Sequence, residues 1–139
     1  MPRIDVSFLV LAALCLIVGL LLGIDMGIAH NFQFAPVHAH LNLVGFVLLS
    51  IFGLTYKAFP ALARSRIAIV HLGLSGVGAV TFPFGIYLSI GHDFPAVAIA
   101  ASFLVLGGVL AYFTNLVLNV VLSRAPAPLM GRAELASLS

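Results

Sequence analysis

The chain has 139 residues, 63% of them hydrophobic and 7% charged, with a mean hydropathy of +1.24. So few charged side chains cannot cover a soluble domain of this length, and the composition predicts an integral membrane protein whose solvent is the lipid bilayer. A net charge of +2 and a pI near 9.1 do not point to a nucleic-acid partner, because the basic residues are spread along the ends of apolar segments.

In chain order, the first apolar run is Val6 to Ala29. It exceeds the roughly 20 helical residues needed to cross a hydrocarbon core of about 30 Å. Further spans follow it, so it is expected to be a retained anchor rather than a signal peptide. Its single cysteine, Cys15, has no partner for a disulfide and is expected to serve packing. Gly19, Gly23 and Gly27 form a small-residue ridge that permits close helix approach, within the chain or between subunits. Asp25 lies about one turn from the span end, where a carboxylate needs water or a partner. "HNFQFAP" breaks the run, and a second span, Val37 to Phe59, opens on His38, His40 and Asn42.

After "PALARSR" comes a third span, Ile67 to Ile90, with His71 near its start and an expected kink at Pro83. "GHD" ends it, and the fourth span, Phe94 to Ser123, carries Asn115 and Asn119 four apart, on one face, to hydrogen-bond across helices. The predicted fold is all-α: one four-span domain over residues 1–124, an integral membrane four-helix bundle with antiparallel neighbours. A Pro- and Ala-rich tail, 125–139, is expected to be loosely ordered.

Lys and Arg flanking the spans mark the cytoplasmic side. Arg3, Lys57, Arg64, Arg66, Arg124 and Arg132 agree on cytoplasmic termini and a cytoplasmic middle loop, in an inner membrane. His30, His38, His40 and His92, with Asp25 and Asp93, then gather at the outer face, and His71 alone falls near the inner one.

Side chains turn by about 100° per helical residue, so His38 and His40 diverge by about 200° and cannot chelate one ion from one regular helix. Each addresses a different neighbour. Neutral imidazole is a good axial ligand for haem iron, and apolar helices can bury a porphyrin. Against this stands a plainer alternative, in which histidines at a membrane mouth are simply solvated among headgroups. His30, His92, Asp25 and Asp93 offer imidazole and carboxylate donors for copper or zinc, without a compact chelating motif. His71 is open to three readings: a second haem or metal, a quinone or proton pathway, or a hydrogen bond inside the bundle.

The stretch "VHAHLNLVGFVLLSIFGLTYKAFP", with Gly45-Phe46, Phe52-Gly53, Tyr56 and Phe59-Pro60, resembles the histidine-bearing helices of the haem-copper oxidase subunit I superfamily, nitric oxide reductases included. It is most similar to the small four-span members. The resemblance covers about a sixth of the chain. It implies a fold like one four-helix arc of subunit I, and His38 and His40 as axial ligands of two different haems. Three copies would rebuild the twelve-helix ring, so it also implies a homotrimer with haem shared between subunits. The haem would be of b type, since no Cys-x-x-Cys-His motif is present. Electron transfer, or binding or reduction of nitric oxide or oxygen, is the implied activity, with an electron donor or quinone as partner. The copper-ligand motifs of the oxidases, His-Pro-Glu-Val-Tyr and His-His, have no counterpart here. Two other functions remain open on the sequence: a copper- or zinc-binding accessory protein, and a structural membrane subunit.

Overall fold

A computed structural model describes residues 3–121, the side chains of 120 and 121 excepted. The predicted tail, Arg124 and Arg132, and the last two residues of the fourth predicted span lie outside the described residues. Four long helices dominate: α1 (Ile4–Ala29), α2 (Ala35–Ala58), α4 (Arg66–His92) and α5 (Ala96–Leu116), the last continuing as a π turn over Val117–Val121. A single turn, α3 (Pro60–Ala63), links α2 to α4. All four long helices are long and apolar enough to cross a membrane, which makes this a multi-pass, all-helical membrane protein. Large apolar side chains such as Leu21, Ile28 and Phe103 face outward, where a soluble bundle would carry charge.

The helix ends have local causes. Pro36 and Pro60 occupy the first positions of their helices, where a missing N–H costs nothing, and Pro95 is the N-cap of α5. That is why α5 starts at Ala96 rather than Phe94. α4 runs past the expected stop at Gly91 and ends on Asp93 in the left-handed region, φ 52°; α1 ends likewise on His30, φ 49°. Both residues lend their backbone N–H to a carbonyl of the last turn, in the manner more often given to glycine.

Inside α2, residues Leu41–Leu48 widen into a π helix directly after His40. Asn42 donates its side-chain amide to the His38 carbonyl at 2.9 Å at the start of this stretch, a local competitor of the α ladder. α4 continues through Pro83, whose ring is buried, without a break in the helix. Pro83 cannot donate to the Ala79 carbonyl, and that oxygen faces α2 at Gly45.

Packing follows chain order: α1 lies on α2, α2 on α4, and α4 against α5 along most of their length. Glycine decides where backbones touch. A Cβ on Gly85 would run into the Ala98 backbone, one on Gly108 into Ser75, and one on Gly78 would stand 3.0 Å from Val105. Between α1 and α2 the small partner changes sides. Gly19 and Gly23 of α1 receive Asn42 and His38, whereas Gly45 and Gly53 of α2 receive Cys15 and Leu9. The buried core of Ile4, Phe8, Leu49, Phe52, Tyr56, Leu62 and Ala68 sits toward the end that carries Arg3, Lys57, Arg64 and Arg66. The opposite end, where α1 and α4 finish and α2 and α5 begin, carries the histidine pair.

Candidate functional site

His38 and His40 stand in the regular first turn and a half of α2, Ala35–His40, so the 200° divergence applies. The structure gives each a different neighbour. His38 turns toward α1, where its Nδ1 lies 2.8 Å from the Gly19 carbonyl. His40 turns toward α4 and meets the Phe82 ring edge-on, centroids 5.0 Å apart and planes at 83°. Its Nδ1 lies 2.7 Å from the Pro36 carbonyl, one turn back on its own helix.

A carbonyl only accepts, so in both rings Nδ1 must carry the proton and donate it. The neutral ring then keeps its lone pair on Nε2. Metal-bound histidines use this arrangement: the nitrogen away from the metal gives its N–H to a carbonyl, which fixes tautomer and ring direction.

Val37 and Leu41, beside the pair in α2, form the floor of an apolar groove of about 460 Å³ whose lining includes neither histidine. Leu11, Val18 and Leu22 of α1 make one wall, and Pro83 and Phe84 of α4 the other. A volume of this order is that of a small-molecule pocket rather than a packing defect.

The remaining candidates are not drawn together. His30 and Asp93 are exposed helix caps, Asp25 is exposed near the end of α1, and exposed His92 sets its ring against Tyr87 at 6.0 Å. Among the described residues, no three His, Cys, Asp or Glu side chains converge as a metal site. The outer copper or zinc cluster is therefore not assembled by the described part of the fold.

His71 belongs to a separate centre. It is fully buried, and Phe82, against which His40 packs, stands about 16 Å further along α4. Its Nδ1 lies 2.9 Å from the Tyr56 hydroxyl. Asn115 donates to that hydroxyl at 3.2 Å and to the Leu62 carbonyl at 3.2 Å, and Asn119 donates to Asn115 Oδ1 at 2.8 Å. The Leu62 carbonyl requires the amino side of Asn115, and every later bond follows in sense: Tyr56 receives from Asn115 and donates to His71. His71 Nε2 is left without a hydrogen-bond partner, inside a cage of Phe8, Phe52, Tyr56 and Tyr112 with ring centroids 4.4 to 5.6 Å away.

Sequence reasoning had Asn115 and Asn119 as a cross-helix pair, and Asn115 does bridge α5 to α2 and to Leu62. It did not find Tyr56 as the partner of His71, nor the α1 glycines as the neighbours of His38. A signal for the second existed. Gly19 and Gly23 are four apart, as are His38 and Asn42, at matching depth in two antiparallel helices joined by a short loop.

No known protein family matches the chain, and neither a curated protein nor a solved structure shows significant similarity to it.

Proposed function

We propose that the protein is a haem b-binding membrane protein in which His38 and His40 each give Nε2 to a different haem. The observation that carries this reading is the shared tethering of the pair: two imidazoles on opposite faces of one helix, each with its N–H committed to a carbonyl. Two such rings cannot close on one iron within a chain, so each haem draws its second histidine from another copy. A cyclic assembly meets that requirement, and a homotrimer of four-helix arcs, with helices packed in chain order, is the proposed form. Orientation by charge puts the pair toward the outer face of the membrane and both termini in the cytoplasm.

The donor set fits the group. Neutral imidazole nitrogen suits haem iron, and the groove walls beside the pair are aliphatic and aromatic. An iron held by two histidines has no open position, and supplies one-electron chemistry rather than gas binding. The proposed role is therefore electron transfer. The chain's own contribution is to hold the rings in one tautomer, send them to different neighbours and line their surroundings with apolar walls.

The test is the visible spectrum of the protein purified in mild detergent from haem-sufficient cells, oxidised and then reduced. A sharp reduced α band, lost in both His38→Ala and His40→Ala and unmoved by carbon monoxide in the wild type, is the expected result. A colourless wild-type protein overturns haem binding. A single particle mass of monomer or dimer overturns the trimer and leaves haem binding standing.

A further inference from the structure

The two histidines are not held alike. His40 is tied to its own helix, through the Pro36 carbonyl one turn away, and leans on one aromatic ring. His38 is gripped from a second helix. Its Nδ1–H reaches across to the Gly19 carbonyl, and its Cε1 edge fills the space that a Cβ on Gly23 would need: the added atom would stand 2.8 Å from Cε1 and 3.0 Å from Nδ1. Any residue but glycine at 23 forces the ring to shift from this position beside the carbonyl.

Asn42 closes the seat from the other side. Its Nδ2 lies 3.4 Å from His38 Nδ1 and 3.3 Å from Nε2, almost equal distances. Two nitrogens on opposite sides of one carbon share such a neighbour without a clash at that carbon only when it stands over the ring face. The amide therefore covers the face and does not occupy the in-plane lone pair of Nε2. It is fixed there by its bond to the His38 carbonyl at 2.9 Å, while its Oδ1 packs on Gly19, 2.8 Å from where a Cβ would stand, with no hydrogen-bond partner. The ridge, open on the sequence to packing within the chain or between subunits, thus has a specific occupant from the same chain at two of its three glycines. Gly27, the third, has nothing within 4 Å of a Cβ position.

We propose that Gly23 and Asn42 are positioning residues for His38: with the Gly19 carbonyl they hold its imidazole as the Nδ1–H tautomer, face covered and Nε2 clear, before any ligand arrives. The proposal rests on reading His38 as a ligand, but the preset ring is a property of the protein alone. His38 is then the preorganised ligand of the pair and His40 the adjustable one.

The experiment compares wild type, Gly23→Ala, Asn42→Leu and Gly27→Ala in detergent, with circular dichroism and size-exclusion profiles to confirm folding. In the haem-free protein, nitrogen NMR of 15N-histidine reports the tautomer. Wild type and Gly27→Ala are expected to show His38 as a single Nδ1–H form, and Gly23→Ala and Asn42→Leu to show mixed tautomers. In haem titration, loss of a group that orients a metal ligand typically weakens the site 10- to 100-fold. Gly23→Ala and Asn42→Leu are expected to fall in that range and to shift the haem midpoint potential, with Gly27→Ala within about two-fold of wild type.

An Nε2–H form of His38 in the wild type, or unchanged tautomer, affinity and potential in both variants, overturns the proposal. If Gly23→Ala does not fold, Asn42→Leu alone decides it. If wild type takes up no haem while the tautomer results hold, the proposed function fails and the preset ring survives.

Discussion

His71 and His38 are both histidines within apolar helices, but the fold treats them in opposite ways. His71 is sealed among four rings, and its one hydrogen bond is the end of a chain that starts at Asn119 and passes through Asn115 and Tyr56. That chain joins α5, α2 and α4, and it spends the polarity of His71 on holding helices together. His38 is half-buried, tied through Nδ1 to the Gly19 carbonyl, with the Asn42 amide over its ring face 3.3 Å from Nε2. In a bilayer an unmet polar group is expensive, and His71 carries one at its buried Nε2 while its Nδ1 ties three helices through Tyr56; His38 has its Nδ1–H committed to one helix neighbour and an Nε2 lone pair that no in-plane donor takes.

The contrast can be broken most sharply at the inner centre. His71→Leu removes the only acceptor of the buried Tyr56 hydroxyl and is expected to cost about 2 kcal/mol of stability, measured by reversible unfolding in mixed micelles, without altering the His38 tautomer. Tyr56→Phe should cost about 1 kcal/mol alone and less in the His71→Leu background, since the two variants share the His71 bond while the Asn115 bond is lost only with the Tyr56 hydroxyl. Additive costs would show that the two residues do not act as one unit. At the opposite end, His30→Gly and Asp93→Gly relieve left-handed backbone and should each stabilise by about 1 kcal/mol, seen as a raised unfolding midpoint. A small stability effect is expected at the candidate ligand: His38→Leu loses one cross-helix hydrogen bond and should cost the haem-free protein no more than about 1 kcal/mol while abolishing haem uptake. A large loss there would make His38 a structural histidine like His71.

Much of this division is legible in the sequence. Hydropathy marks four spans because nothing but length and apolarity is needed to define them, and the two-residue spacing of His38 and His40 is enough to send them to different neighbours. Helix ends are read to within a few residues where proline starts a helix. They are misread at "GHD", where Gly91 is the expected stop but Asp93 takes the left-handed position, as Asp and His do more readily than most residues. The Tyr56–His71 bond is harder to see, because it closes across a turn between helices and depends on rotation of both. The roles of Gly19 and Gly23 require matching two four-residue spacings on antiparallel neighbours. The π stretch has only a weak sequence signature over Leu41–Leu48, in Asn42 and Gly45, the residues there least suited to a regular helix.

That stretch carries a consequence for the whole of α2. A π segment is in effect an α helix with an added residue, and each residue turns the chain by about 100°. The half of α2 bearing His38 and His40 and the half bearing Phe52 and Tyr56 are therefore set to different azimuths, with Leu41–Leu48 as the adjustment between them. Removing one residue from this interval would restore a regular ladder with both halves near their present azimuths, whereas removing one from a regular stretch of α2 would swing one half by about 100°. The angular phase between ligand end and core end is thus a separate variable of this helix, held by eight residues that touch neither end's hydrogen bonds except through Asn42.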